Sequence, residues 1–381
     1  RFHSENQTVL SCRSLQMRPK IGTMCCMVDA IHKTLVIRFS SVGDIILSSL
    51  LVRALRKRFP SSTIDFLVKS EYAALIQHNP NISRVIEFPA VGKFSELRRL
   101  RTAIQRTGYD LIVDIHDSIR SRYLSFGHPR IARINKRKVA RFLLVKMKWN
   151  VYEWFGGAPG VAERYLETVN DLGVESDGTG LEVFIPESAS ENVGRLLHTA
   201  GIREDSAVIG VCPCARHNNK MWLKERFAEA AAALAREYQA AVLIFGSGDQ
   251  EVQRCDEVKQ MIEAQSGATT VLNLADRISL PETAAMMDRC FIILTNDSGL
   301  MHLAAARKRK VVAIFGPTVR ELGFFPYGTT STVIEDVSLP CRPCTHIGLP
   351  GCPKGHFKCM HSISTQQVAS AARVLLTNEI R

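Results

Sequence analysis

Phe291-Ile292-Ile293-Leu294-Thr295-Asn296-Asp297-Ser298-Gly299-Leu300-Met301-His302-Leu303-Ala304-Ala305-Ala306 is the stretch whose reading decides the architecture. Its opening apolar run has the length of a short buried strand. Asn, Asp, Ser and Gly then favour a tight turn and a helix start. Small residues carry the helix onward. The first free N–H groups of such a helix point back at the turn, which makes a ready anion site. An ordinary strand–helix connection of an α/β domain carries the same local pattern, so this stretch alone supports both readings.

Outward from it, the pattern repeats. Ala207–Val211 reads as a strand, followed by a helix from about Lys224 to Tyr238, a strand Ala241–Phe245, a helix after Gly248, a strand near Thr270–Leu272, the helix Pro281–Arg289, and a last strand Val311–Phe315. A second alternating unit precedes it. Thr34–Phe39 is an apolar strand, Ser40-Ser41-Val42-Gly43-Asp44 a turn, and Asp44–Arg58 a helix with Leu47, Leu51 and Leu55 on one face. Strands follow at Thr63–Val68, Arg84–Phe88 and Asp110–Ile115, with helices near Glu71–His78 and Lys93–Arg106 between them. Alternation of this kind predicts parallel sheets covered by helices on both faces. The expected organisation is an extension at 1–33, two doubly wound α/β units at 34–180 and 181–340, and a Cys-rich loop with a final helix at 341–381. Ligands of such pairs bind in the cleft between the units.

The bulk properties narrow the classes. The chain has 381 residues, 46% of them hydrophobic, and a net charge of +12. This length suits two or three domains with sizeable cores, and the charge favours an anionic partner. No uncharged apolar run reaches the length of a membrane span, and no signal peptide is visible in the first 33 residues. Arg1 is not expected to be a natural start; Met17, Met24 and Met27 are candidate starts. Eleven cysteines in so core-rich a chain fit a reduced, cytoplasmic protein better than a disulfide scaffold.

Several constellations carry chemistry. Gly43-Asp44 lies where the first strand meets the first helix. Asp44 there is both a natural N-cap and a carboxylate at the cleft edge, able to take a proton from a hydroxyl within reach, and Gly43 lets the backbone approach a ligand closely. Lys220, in a polar loop after the strand 207–211, reads as a phosphate-neutralising cation or as a solvated surface residue. Gly246-Ser247-Gly248-Asp249-Gln250-Glu251 begins like a dinucleotide fingerprint but has Glu251 where the third Gly belongs; Asp249 or Glu251 could meet a ribose. No GxxxxGK[ST] loop occurs. Residues 120–148 hold ten Lys or Arg and no Asp or Glu, with aromatic residues interleaved. That is a solvated face, or a surface for an acidic acceptor or anionic leaflet; no nucleic-acid motif accompanies it. Cys341, Cys344, Cys352 and Cys359 suit either a structural zinc or reduced thiols.

Taken together these residues resemble glycosyltransferase family 9, the lipopolysaccharide heptosyltransferases. The resemblance rests on Val36–Asp44, Asp114–Ser121, Arg164-Tyr165-Leu166 with Asp171-Leu172-Gly173, and above all Thr295–Ala305; a Cys-rich tail with Cys359-Met360 is also similar to some members. Leu50 and His116 depart from the pattern, where Pro and Gln are expected. The resemblance implies a GT-B fold and inverting transfer of heptose from ADP-heptose to a lipid A–core acceptor. It implies Asp44 as general base, Lys220 at the donor phosphates, and Asp297, Ser298, Gly299 and His302 as a donor-binding turn, to which Thr295, Asn296, Asp249 and Glu251 are added as candidates. Ser41, Gly43, Arg120, Lys138 and Arg141 are the acceptor-side candidates. No cofactor is expected to be required. A peripheral contact with the anionic face of the inner membrane is expected. The alternatives are another nucleotide-sugar transferase or epimerase, and a non-catalytic anion-binding protein.

Overall fold

The computed structural model describes residues 31–89, 94–267 and 269–377. The first unit is a five-stranded sheet of β1 (Lys33–Ile37), β2 (Thr63–Lys69), β3 (Arg84–Phe88), β4 (Leu111–Asp114) and β5 (Ile131–Arg133), in the order β3-β2-β1-β4-β5. The second is a six-stranded sheet of β6 (Val208–Cys212), β7 (Ala241–Ile244), β8 (Val271–Asn273), β9 (Ile292–Asn296), β10 (Lys310–Phe315) and β11 (Ser331–Glu335), in the order β11-β10-β9-β6-β7-β8. Every pairing is parallel. Helices cover both faces, so the central strands are buried on both sides and read as continuous apolar runs: Leu35, Val36 and Ile37 in β1, Ile292, Ile293 and Leu294 in β9.

The local differences from the sequence reading have physical causes. Residues 1–30 of the expected extension lie outside the described residues, whereas Ile31 is buried in the core and β1 already begins at Lys33. The first helix starts at Val42 and is interrupted at Ser48, whose hydroxyl donates back to the Ile45 carbonyl at 2.6 Å. The helix expected near Glu71–His78 is a 3-10 turn, Ser70–Leu75. Strand β5 is three residues long inside the basic run, and β11 is a partly exposed edge strand, so neither has an apolar stretch to announce it. The helix Glu187–Thr199 was missed, although Ala189, Val193 and Leu197 are buried on one face.

The connection between the units is pinned by one buried arginine. Arg53 forks onto Asp177 at 2.9 Å through Nε and Nη2, reaches Glu182 at 2.7 Å, and donates to the Gly180 carbonyl at 2.6 Å. The C-terminal helix Thr365–Thr377 returns to the second unit, where Arg373 pairs with Glu237 at 2.8 Å.

Candidate active site

In a doubly wound sheet a crevice opens where strand order reverses, beyond the C-terminal strand ends. The reversals here fall between β1 and β4 and between β6 and β9. The loops after those four strands face one another around a cavity of 360 Å³. After β1 come Arg38, Ser40, Ser41, Gly43 and Asp44; after β4, His116; after β6, Arg216, His217 and Lys220; after β9, Asp297, Ser298, Gly299 and His302. Phe324, His346 and Ile347 complete the wall.

Asp44 is the centre of the first wall. Its Oδ2 takes Arg38 Nη2 at 2.6 Å, Ser41 Oγ at 3.0 Å and the Ser41 N–H at 3.3 Å. Its Oδ1 accepts from the Tyr165 hydroxyl at 3.1 Å. Burial alone would raise this carboxyl, but the Arg38 guanidinium and the Ser41 hydrogen bonds outweigh it and hold the pKa below 3.8. Arg38 is fixed in turn by the Ile115 carbonyl at 2.8 Å and by lying over the Tyr165 ring, 5.6 Å from its centroid. His116 stands edge-on to Phe39, and its Nδ1 is buried without a partner. Burial, with Arg38 and Lys136 adding, pushes its pKa down to about 3, so the ring is neutral.

The second wall is the turn after β9. Asp297 holds Lys220 Nζ at 2.7 Å and accepts from Thr318 Oγ1 at 2.7 Å. Ser298 is the N-cap of helix Gly299–Ala306, and its hydroxyl is buried with no partner, as is His302 Nδ1. Burial lowers the His302 pKa to about 4 in spite of the nearby Asp297 and Asp44. Unpartnered buried polar groups around a cavity between two helix N-termini are what an anionic, hydroxyl-rich ligand would satisfy.

The two walls touch. A Cβ on Gly43 would sit 2.7 Å from His302 Cδ2 and 3.5 Å from Gly299 Cα; one on Gly299 would sit 3.0 Å from Val42 Cβ. The helices Val42–Leu47 and Gly299–Ala306 thus meet through paired glycines, one from each unit. The close approach made by Gly43 is to the opposite unit, where the sequence reading had it facing a ligand.

The sequence pattern of glycosyltransferase family 9 (heptosyltransferase) matches residues 97–350. The chain belongs to this family. It is 29% identical over 306 residues to the lipopolysaccharide heptosyltransferase 2 of Salmonella typhimurium, covering 75% of this chain and 83% of that one. The structure of a family 9 glycosyl transferase from Veillonella parvula superposes with a TM-score of 0.74 at 22% identity, covering 92% of this chain and 98% of the other. That of the E. coli ADP-heptose lps heptosyltransferase II gives 0.69 at 24%, covering 92% and 100%. The two-unit GT-B architecture implied by the resemblance is the one observed.

In this family 9 glycosyltransferase the cavity brings together Asp44, Ser41, Gly43, Lys220, Asp297, Ser298, Gly299 and His302. Other candidates lie elsewhere. Thr295 and Asn296 are fully buried in β9; Asn296 Oδ1 accepts from the Trp222 backbone N–H at 2.9 Å, holding the Lys220 loop rather than the cavity wall. Asp249 is exposed, and Glu251 turns back to the Ser247 N–H at 2.8 Å. Arg120 points to solvent, Lys138 reaches Asp117 at 3.6 Å, and Arg141 is half-buried beside His346. Among the described residues no three His, Cys, Asp or Glu side chains are placed to hold a metal ion. Of the tail thiols, Cys359 is buried, which pushes its pKa up to about 11. The sequence reading missed Arg38 and Tyr165 as partners of Asp44, and Arg216 and Thr318. Arg38 left one signal: a lone cation directly after an apolar strand.

Proposed function

We propose that the protein transfers heptose from ADP-heptose to the inner core of lipopolysaccharide with inversion at the anomeric carbon. The observation that carries this reading is the facing of Asp44, on one unit, by Lys220 and the Asp297-Ser298-Gly299 turn, on the other, across a single cavity. In this reading the acceptor oxygen forms the new bond to the anomeric carbon as the bond to the diphosphate breaks. The acceptor proton passes to Asp44 Oδ1, which carries one donor where Oδ2 carries three. A carboxylate with a lowered pKa is a weak base, so it takes the proton late, when the acceptor oxygen has already begun to bond. Charge on the departing diphosphate is met by Lys220 and the N–H groups of helix Gly299–Ala306, and no covalent nucleophile or divalent metal is needed.

The acceptor lies on the first unit's side, at Ser41 and Gly43, with Lys138 and Arg141 farther out. No described helix is long and apolar enough to cross a membrane; a lipid-linked acceptor brings the enzyme to an anionic, cytoplasmic membrane face as a peripheral visitor. The test is a thermal-shift comparison of ADP, UDP, GDP and CMP, followed by mass and anomeric analysis of the product formed from ADP-heptose. A preference for UDP, or a product retaining the donor's anomeric configuration, overturns the reading.

A further inference from the structure

The first unit carries a surface that neither catalysis nor folding explains. Among the described residues, most of the large apolar side chains left exposed lie between residues 94 and 154. They are densest at 138–154, where Phe142 is 58%, Trp149 60% and Trp154 84% exposed, with Val139 and Met147 beside them. This segment is firmly seated. Ala140, Leu144, Val151 and Tyr152 are buried against Leu322, Asn150 bonds Glu321 at 3.0 Å, and Lys148 donates to the Pro343 carbonyl. The exposed side chains therefore stand on an ordered base.

Cations interleave with them. Lys146 and Arg141 have no acidic partner among the described residues; residues 120–148 contain no carboxylate, and the single acidic residue of 138–154 is the exposed Glu153 at its far end, against Lys138, Arg141, Lys146 and Lys148. Apolar side chains flanked by unpaired Lys and Arg match an anionic bilayer surface: the rings enter the headgroup boundary while the cations meet phosphates. The segment also adjoins the cavity. Lys138 and Lys136 both reach Asp117, next to His116, and Arg141 lies beside His346; both histidines line the cavity.

We propose that residues 138–154 dock the enzyme on an anionic phospholipid bilayer, with Phe142, Met147, Trp149 and Trp154 entering the headgroup layer and the cavity held at the lipid surface. This deepens the transferase reading and rests on it only for its purpose. The chain supplies its own probe. It contains three tryptophans, and the third, Trp222, is fully buried. Emission from Trp149 and Trp154 will therefore shift to the blue on mixing with vesicles of phosphatidylethanolamine and phosphatidylglycerol, but not with vesicles of phosphatidylcholine. Added salt will weaken binding. In co-sedimentation the double variant Trp149→Ser/Trp154→Ser will bind about tenfold less, the loss expected from withdrawing part of two large side chains from an apolar layer, and Lys146→Glu will also bind less. The proposal is overturned if the wild type ignores anionic vesicles, if neutral vesicles bind equally, if the variants bind undiminished, or if the protein forms a dimer that the double variant abolishes, which would give the surface to a second copy. Transfer to a soluble, deacylated core acceptor will be unchanged in the double variant. Absence of that transfer in the wild type, with vesicle binding intact, overturns the transferase reading and leaves this surface standing.

Discussion

Replacing Gly43 with Ala tests whether the contact between the two helix starts is required for catalysis. The new Cβ would lie 2.7 Å from His302 Cδ2, where ordinary contact begins at 3.4 Å, so something must move by about 0.7 Å. His302 is a poor candidate to yield: it is 3% exposed, and its ring belongs to a packed helix. The gap must come from separation of helices Val42–Leu47 and Gly299–Ala306, which carry the two halves of the site. Stability is affected little, because overpacking of about 1–3 kcal/mol is offset by up to about 1 kcal/mol of helix propensity gained by Ala over Gly. The melting temperature should therefore fall by no more than about 5 °C. Activity should suffer more. A misplacement approaching 1 Å between reacting groups lowers kcat/KM by roughly tenfold to a hundredfold. Steady-state transfer from ADP-heptose, measured beside a thermal melt, separates the two effects. Gly194→Ala is the control: it lies in the exposed helix Glu187–Thr199 with nothing within 4 Å of a new Cβ. It should stabilise by about 0.5–1 kcal/mol without touching kcat/KM. Wild-type kcat/KM in Gly43→Ala would refute the reasoning.

Four further outcomes are expected. Asp44→Asn should lower kcat by at least about a hundredfold while leaving ADP affinity by calorimetry unchanged; it should also lower the melting temperature, since buried Arg38 loses its carboxylate partner. Lys220→Met should weaken ADP binding by about tenfold, and unaltered affinity would remove Lys220 from the phosphate site. Activity should persist in EDTA, because Lys220 and helix N–H groups meet the leaving charge; loss reversed by a divalent cation would contradict that. The His302 pKa is about 4 against 6.5 unfolded, so below 6.5 the unfolded chain binds the proton first. The associated stability is present above 6.5 and is lost as pH falls through 4, a total of about 3 kcal/mol. His302→Gln should flatten that part of a denaturation-against-pH curve.

Legibility in the sequence followed the physics of each feature. The strands at the sheet centres could be read because burial on both faces demands continuous apolar runs, as in β1 and β9. Strands β5 and β11 could not: β5 is three residues inside a basic run, and β11 is only partly buried along its whole length. Asp44, Lys220 and the Asp297–His302 turn were visible because the position after a strand of an α/β unit is where the fold presents side chains to a ligand. Their partners were hidden. Tyr165 is 121 residues from Asp44 in the chain, and Thr318 reaches Asp297 from a different strand end. Polarity alone misplaced Thr295 and Asn296: hydrophilic residues at the end of a strand read as ligand contacts, yet Asn296 serves a buried backbone N–H.

The site is built from two ion pairs, and their placement constrains how it can work. Arg38 neutralises Asp44 on the first unit and Asp297 neutralises Lys220 on the second, each within its own wall. Neither pair crosses the cavity, so neither depends on the other unit for its charge balance. A diphosphate reaching Lys220 must share the ammonium with Asp297, and that carboxylate keeps Thr318 as a donor at 2.7 Å, so the exchange leaves no buried charge unpaired. On the other wall, the proposed reaction keeps Oδ2 of Asp44 bound to Arg38 and Ser41 while Oδ1 exchanges Tyr165 for an acceptor hydroxyl. In the proposed reaction, donor charge and acceptor proton would thus be handled by separate, internally balanced pairs. What joins them is steric: Gly43 against His302 and Gly299 against Val42.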